Sequence, residues 1–162
     1  MPKLTEYKVM LINPAEPKTL DLFHKLINGT DGTNGLKVAM GAYQTEMALM
    51  TNNPEHLFRI QGLPVCVAFT EDYRVLGFIS VGADSETKTV CTEHVYVRPE
   101  FRHQGIYKLM MKRVEKLVND LKFERIVSFV FNENELSQQV HEHQGFTKRM
   151  IGYVKEIKCE QK

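Results

Sequence analysis

The amphipathic stretch 105–121 most constrains the fold, because β-rich sequence lies on both sides of it. Its apolar residues recur at helical spacing, and its lysines take the opposite face. Before it, residues 63–97 hold three β-branched and aromatic runs separated by two turn-rich segments, which predicts an antiparallel meander. After it, RIVSFVF (125–131) is almost wholly apolar, which predicts a strand buried on both faces beside a parallel neighbour. A helix that joins two parallel strands implies a right-handed crossover.

The flanking sequence predicts further elements: a first strand at 6–12, helices from Pro17 and at 38–50, 53–60 and 134–143, and a last strand at 146–157. The Gly- and Asn-rich run 28–35 predicts a mobile loop, and it is short for a domain linker. We therefore expect residues 1–162 to form one domain of the α/β (α+β) class. Its mixed, mostly antiparallel sheet has about six strands, flanked by helices and including one parallel pair.

The charges nearly cancel, with 21 Lys plus Arg against 20 Asp plus Glu. The chain therefore lacks the bulk field that holds nucleic acid or anionic lipid, and RHQGIYKLMMKR needs its apolar face for the core. Its three cysteines form no CxxC pair, which fits a reducing compartment and indicates no zinc site. No apolar run reaches the length of a membrane span. We expect a cytoplasmic protein without nucleic-acid, membrane or metal binding.

The turn that precedes the central helix predicts an anion site. The N–H groups of a helix's first turn have no partner inside the helix, and the positive end of the dipole lies behind them. Gly105 permits close backbone approach, and Arg102 adds a positive charge. Phosphate is the ligand that such a turn most commonly binds. By spacing alone, a plain glycine helix start with a surface arginine is an alternative, since R-x-x-G is a common pattern.

At this point the sequence resembles the GNAT acyltransferase superfamily. The family's central motif, V-x-P-x-x-R/Q-x-x-G-x-G/A before an amphipathic helix, is matched by VRPEFRHQGIY at 97–107. A second element, N-x-x-A-x-x-L-Y followed by G-F, is matched by NELSQQVHEHQGF at 134–146. The resemblance covers about residues 63–157. Residues 14–60 match only by element order, as expected of helices that shape the acceptor side.

The resemblance implies a GNAT fold whose parallel pair carries an acyl-CoA site. It implies an N-acetyltransferase that moves the acetyl group of acetyl-CoA, its co-substrate, directly to a primary amine without a metal. The diphosphate would lie on the turn and the pantetheine arm along the strand before it. The implied cofactor-binding residues are Val95, Tyr96, Val97, Arg102, His103, Gln104, Gly105, Ile106, Tyr107, Lys108 and Asn134. Lys108 or Lys112 would reach the ribose phosphate, unless both are plain solvated charges.

Three departures from the family pattern leave alternatives open. Tyr107 stands at a position that is normally Gly or Ala, where its ring either points away or narrows the phosphate site. His141 stands where the family commonly has a tyrosine that protonates the leaving thiolate. A catalytically impaired module that binds CoA or a protein partner is therefore the alternative function. Only 16 residues follow Phe146, so a homodimer partner could complete the sheet in place of a final hairpin.

Glu93 is the predicted general base, acting directly or through water. Strand alternation places it on the face of Val95 and Val97, and some family members that act on small amines carry glutamate here. A plain strand-surface glutamate is the alternative, and His94 on the opposite face is a substitute base. His141 is the predicted acid, since imidazole titrates near pH 6.5. Its alternative is a helix histidine without a catalytic role.

Two further candidates are weighed against structural roles. His141 and His143 lie two positions apart, so a helix turns them to different faces and we assign no metal. Cys91 shares the strand face of Glu93 and could be acylated, but the sequence positions no histidine beside it, which favours an inert thiol. Nothing in the sequence separates a small amine from a protein amine as acceptor.

Overall fold

The computed structural model describes residues 6–30, 32–51 and 64–149. Their elements, in chain order, are β1 (Lys8–Ile12), α1 (Pro17–Asn28), α2 (Leu36–Thr51), β2 (Val65–Phe69), β3 (Val75–Asp84), β4 (Thr89–Val97), a 3-10 turn (Pro99–Phe101), α3 (Ile106–Asp120), β5 (Arg125–Ser128) and α4 (Glu135–His143). The helix predicted at 53–60 and residues 150–157 of the predicted last strand lie outside the described residues. Within the described ranges, no helix is long and apolar enough to cross a membrane.

One sheet with the order β1-β2-β3-β4-β5 organises the described chain. Its first four strands pair antiparallel, and β4 and β5 pair parallel. This confirms the predicted mixed, mostly antiparallel sheet with one parallel pair, although the described residues supply five strands rather than about six. The helix α3 connects the two parallel strands, as its position between two β-rich runs predicted.

Alternation along the strands divides the core between the two faces of the sheet. On the face that we call the helix-pair face, α1 and α2 cover Phe78 and Tyr96. On the α3 face, Ile79 and Val90 pack beneath α3 with Met110. A fully buried side chain of this size contributes about 1.5–3 kcal/mol, so these two clusters hold the helices against the sheet.

The loop between α1 and α2 is attached to the sheet at its end. The carbonyl of Asn34 accepts hydrogen bonds from the Val75 N–H at 2.9 Å and from the Arg98 guanidinium at 3.2 Å. Arg98 directly follows β4. The loop therefore lies beside the segment in which the sequence predicted the cofactor site.

The strand β5 is shorter and more exposed than predicted. It ends at Ser128, and Phe129 and Phe131 beyond it are 65% and 38% exposed. Its residues are exposed or half-buried because, in the described chain, only β4 pairs with it, and for only four residues. The prediction of burial on both faces was wrong: an apolar run shows what a strand can bury, not what covers it. Residues 146–149, the start of the predicted last strand, form no strand.

Candidate active site

The two parallel strands separate after four paired residues. Their last pair joins Thr92 to Ser128, and β4 continues to Val97 without a strand partner on its β5 side in the described chain. Backbone N–H and C=O groups on that side are thus available to a ligand, since such groups seldom stay unpaired. The gap lies along Val95, Tyr96 and Val97, the segment that the family resemblance assigned to the pantetheine arm.

The turn between β4 and α3 carries a row of unpaired amides. In the described chain, none of the backbone N–H groups from His103 to Lys108 donates a hydrogen bond, and the Leu109 N–H bonds the Gly105 carbonyl at 3.1 Å. Gly105 has φ 77°, in the left-handed region that glycine adopts without strain. A Cβ there would meet no atom within 4 Å, so glycine is needed for its conformation rather than for space. Free amides at a helix start suit an anion.

The guanidinium of Arg102, which was predicted to bind phosphate, is hydrogen-bonded to other groups of the protein. Its Nε donates to the Val97 carbonyl at 2.9 Å, and its Nη2 donates to both carboxylate oxygens of Glu46 at 3.0 and 2.8 Å. Its guanidinium also lies 5.8 Å from the ring of Tyr96. Arg102 therefore fastens the turn to α2, and its charge is paired with that of Glu46.

The other predicted cofactor contacts fall in three places. Asn134 begins α4, where its side-chain oxygen accepts the Ser137 N–H at 3.0 Å, and its amide nitrogen has no partner in the described chain. Lys108 is exposed on the first turn of α3. Lys112 instead lines a groove of about 780 Å³ with Lys8 of β1. Since β1 and β5 are opposite edges of the sheet, Lys112 does not face the β4–β5 gap.

A β-bulge moves Glu93 to the other face of the sheet. Ser80 pairs with His94 and Val81 pairs with Thr92, so Glu93 is an extra residue in β4. Its Oε1 would lie 3.1 Å from a Cβ built on Gly82, a helix-pair-face position. Val95 and Val97 pack on the α3 face. The prediction that these three side chains share a face was wrong, because a bulge breaks the alternation.

His94 packs among aromatic side chains on the helix-pair face. Its Nδ1 lies 2.9 Å from the Ser80 hydroxyl, and its ring meets the Tyr43 ring edge-on at 5.7 Å. The rings of Tyr43 and Tyr96 are 6.0 Å apart. Burial, and then the charge of Glu46, raises the pKa of Tyr43 to about 12, so this phenol is neutral near pH 7. Glu93, the preceding residue of β4, is exposed on the same face of the sheet.

The surroundings of Cys91 favour an inert thiol over an acylated nucleophile. Burial raises its pKa first, and the negative charges of Glu93 and Asp84 raise it further. It remains a protonated thiol near pH 7 and has no histidine partner in the described part of the chain.

His141 is buried and hydrogen-bonded at both ring nitrogens. Its Nδ1 lies 2.7 Å from the Ser137 carbonyl, which only accepts, so Nδ1 carries the proton. Its Nε2 lies 2.8 Å from the Ser128 hydroxyl, which then donates. Burial lowers the pKa of His141, against a smaller raising effect of the bond to Ser137. The imidazole is neutral and has no free N–H for a leaving thiolate.

His143 does not join His141 in a cluster. It is exposed, and its Nδ1 bonds the Gln139 carbonyl at 2.7 Å. Among the described residues, no group of three or more His, Cys, Asp or Glu is arranged to hold a metal ion.

The ring of Tyr107 packs inward instead of covering the turn. It lies 5.8 Å from the ring of His141 and contacts the α3-face core. Its hydroxyl is buried and has no hydrogen-bond partner in the described chain. Burial, followed by the charge of Glu115, raises the pKa of Tyr107, so the phenol is protonated at any working pH.

Sequence reasoning missed three polar residues at this site. Glu46 anchors Arg102, Ser128 holds His141, and Thr92 ends the β4–β5 pairing. Ser128 had a signal, because it is the single polar uncharged residue of the run RIVSFVF. No local pattern marks Glu46, which lies 56 positions from its partner.

The family match shows the class of the protein, an acyl-CoA-dependent N-acyltransferase. The chain belongs to the acetyltransferase (GNAT) family, whose family model matches residues 38–146. Enzymes of this family use acetyl-CoA. No curated protein sequence matches the chain.

Solved structures share the fold over nearly the whole chain. A ribosomal-protein-alanine N-acetyltransferase from Brucella melitensis biovar Abortus 2308 is 14% identical with a TM-score of 0.62, covering 94% of this chain and 100% of that one. An aminoglycoside acetyltransferase from an uncultured soil metagenomic sample is 11% identical with a TM-score of 0.61, covering 95% and 100%. Aminoglycoside N-acetyltransferase AAC(6')-Iy in complex with CoA is 22% identical with a TM-score of 0.55, covering 97% and 99%. At these identities the likeness concerns the fold.

Proposed function

We propose that the chain is an N-acetyltransferase that transfers the acetyl group of acetyl-CoA directly to a primary amine of a small molecule or a protein. The observation that carries the proposal is the adjacency of two features, the unpaired amides of residues 103–108 and the gap between β4 and β5. A diphosphate and an amide-bearing arm are the groups that these two features suit.

The residues present fit a bound acetyl-CoA. The amides from His103 to Lys108 would hold the diphosphate, with Gly105 allowing its close approach. The backbone of β4 from Val95 to Val97 would bind the pantetheine arm, and the free amide nitrogen of Asn134 would donate to it or to the adenylate. Bound acetyl-CoA supplies an acyl thioester, an activated acyl group.

The acceptor amine has to lose a proton. An amine with a pKa near 10.4 is about 3.4 units from its neutral form at pH 7, which costs roughly 4.6 kcal/mol. Glu93 would take this proton, directly or through water. The bulge supports the role, because it turns the carboxylate toward the helix-pair face. This is the face on which α1 and α2 would shape the acceptor site. His94, half-buried and bonded to Ser80, is the substitute base.

The alternative of a catalytically impaired module gains no support from the described residues. Tyr107, one of the two departures that suggested it, packs against His141, the other. We further propose a cytoplasmic location and a homodimer, in which a second copy would extend the sheet beyond β5. Sedimentation of the purified chain tests the second of these, and a monomer at micromolar concentration would remove it.

Acetyl-CoA binding is the first test. Saturation at 100 times the dissociation constant should stabilise the fold by about 2.7 kcal/mol, and the absence of any shift in the denaturation midpoint would remove the proposal.

The second test measures CoA thiol released with a panel of amines. The panel should include aminoglycosides and a peptide with an N-terminal alanine, since proteins with this fold act on both classes.

A further inference from the structure

The strand β1 forms an open edge of the sheet. In the described chain it pairs only with β2, so the backbone N–H and C=O groups on its other side have no strand partner. A free edge can pair with another chain, and edge strands are commonly blunted by proline or charged side chains. The sequence of β1, KVMLI, contains one charged residue and no proline. This edge is therefore able to accept a further strand.

A groove follows this edge between β1 and α3. Its first part is a cavity of about 780 Å³ that Tyr7 and Val9 line together with Leu109 of α3. A second cavity, of about 300 Å³, continues the groove as far as Leu117. Val9 and Arg113 border both cavities. The groove thus accompanies the unpaired backbone of β1 and has Arg113 at its centre.

One side of α3 presents an apolar, a cationic and again an apolar side chain to this groove. These are Leu109, Arg113 and Leu117, which are four residues apart and so lie in one row along the helix. Neighbours in the row are about 6 Å apart along the helix axis. Side chains on one face of an extended strand are about 6.7 Å apart. A strand added to β1 would therefore place three successive side chains of one face opposite the row.

The charge of Arg113 is unpaired. The ion pairs of the described chain do not include this exposed side chain, and they do not include its neighbour Lys112. The carboxylates of Glu6 and Glu71 line only the first cavity, so the centre of the groove is cationic. A carboxylate in the middle of an added strand would pair with the guanidinium, and such charged hydrogen bonds are among the stronger ones.

A second copy of this chain fits the groove less well than an acidic peptide. Pairing β1 with its own copy about a two-fold axis would bring two α3 helices to the same side of the joined sheet. The cations of each helix, Lys112, Arg113 and Lys116, would then approach those of the other, and like charges repel. Nucleic acid would leave the backbone of β1 unpaired, and the net charge of the chain is only +1.

We propose that β1 and α3 bind an extended peptide of a partner protein as an added edge strand, with the side-chain pattern apolar-x-acidic-x-apolar. The backbone of β1 would supply the hydrogen bonds, and the row on α3 would select the side chains. The two apolar residues would pack on Leu109 and Leu117, and the acidic residue would pair with Arg113. This site lies at the opposite edge of the sheet from the β4–β5 gap, so the inference does not depend on the proposed function.

Fluorescence anisotropy of two capped, labelled heptapeptides with the full chain tests the proposal. The probe TVTETVT places two valines and the central glutamate on one face of a strand, and TVTKTVT replaces the glutamate by lysine. We expect the glutamate peptide to bind at least about tenfold more tightly, as the gain of a charged hydrogen bond implies. Equal affinities, or no binding of either peptide, would overturn the proposal.

Charge exchange at Arg113 tests the selecting residue. Arg113→Glu should reverse the preference, so that the lysine peptide binds more tightly than the glutamate peptide. Arg113→Gln should weaken binding of the glutamate peptide by about tenfold. Arg125→Gln is the matched control, because it removes an exposed arginine from β5 at the other edge, and it should bind as the wild type does. An equal loss in this control would reveal attraction by overall charge and would decide against the site.

N-methylated peptides test the strand pairing. Successive residues of a strand direct their N–H groups alternately toward and away from the neighbouring strand. Methylation of the glutamate amide or of the following threonine amide, one at a time, should abolish binding in one peptide and leave the other unchanged. Unchanged binding of both peptides would rule out an added strand.

Two other occupants would also overturn the proposal. Sedimentation of a dimer that excludes the glutamate peptide, and that Arg113→Glu leaves intact, would identify a second copy on β1. A short DNA duplex that displaces the bound glutamate peptide at lower concentration than unlabelled TVTETVT would identify the groove as a phosphate-binding surface.

Discussion

Glu46 on α2 receives two hydrogen bonds from the guanidinium of Arg102, at 3.0 and 2.8 Å. The pair links the amide-lined turn to α2 on the helix-pair face of the sheet. The motif's arginine would thus contribute to the proposed cofactor site through the position of the backbone, since its charge is paired with Glu46.

Glu46→Gln should destabilise the fold by roughly 1 kcal/mol, a modest value because both side chains are partly exposed. Urea denaturation measures this. Acetyl-CoA affinity should fall with it, since the turn loses its anchor. A rise in affinity would contradict this role, because it would mean that Glu46 holds Arg102 away from the phosphates.

Gly105→Ala should cost about 1–2 kcal/mol, because alanine at φ 77° is strained although nothing lies near its Cβ. Gly105→Asn is the matched control, since asparagine tolerates this conformation, and it should cost less. Thermal unfolding of both variants provides the comparison. Equal losses would contradict backbone strain as the cause.

Glu93→Gln should lower kcat by about 10²- to 10⁴-fold, the usual contribution of a general base, while acetyl-CoA affinity remains unchanged. Glu86→Gln, an exposed change in the β3–β4 turn, is the control for loss of one negative charge. Steady-state kinetics with an accepted amine measures both. Similar rates for the two variants would return Glu93 to the status of a surface glutamate.

His141 makes the stability of the fold depend on pH. Its pKa is lowered in the folded chain, so the unfolded chain binds the proton more tightly. Its contribution is therefore present above about pH 6.5, the unfolded value, and is lost as the pH falls below it. His141→Gln should flatten this part of the stability curve, measured by denaturation between pH 7.5 and 5, whereas the exposed His24→Gln should not.

The sheet was predictable because its signals are local. Periodicity in residues 63–97 predicts the meander. The helix at 105–121 lies between two β-rich runs, so its position predicts the crossover and the parallel pair. The role of Gly105 was also predictable from local sequence, because a glycine directly before an amphipathic helix indicates a tight turn at the start of that helix.

The details of the site depend on contacts between distant residues and on one register shift. No pattern in β4 reveals that Glu93 is a bulge residue, because the bulge exists only in the pairing with Ser80 and Val81. Likewise Glu46 becomes a partner of Arg102 only once α2 lies beside the turn. The exposure of β5 was unpredictable because it depends on what lies beside the strand, which the strand's own sequence does not state.

The structure of the chain crystallised with CoA is the most direct measurement of the central claim. We expect oxygens of the diphosphate within about 2.7–3.2 Å of backbone nitrogens between His103 and Lys108, with the pantetheine arm along Val95 to Val97. CoA bound at another surface, or a turn whose amides remain unoccupied at saturating CoA, would contradict it.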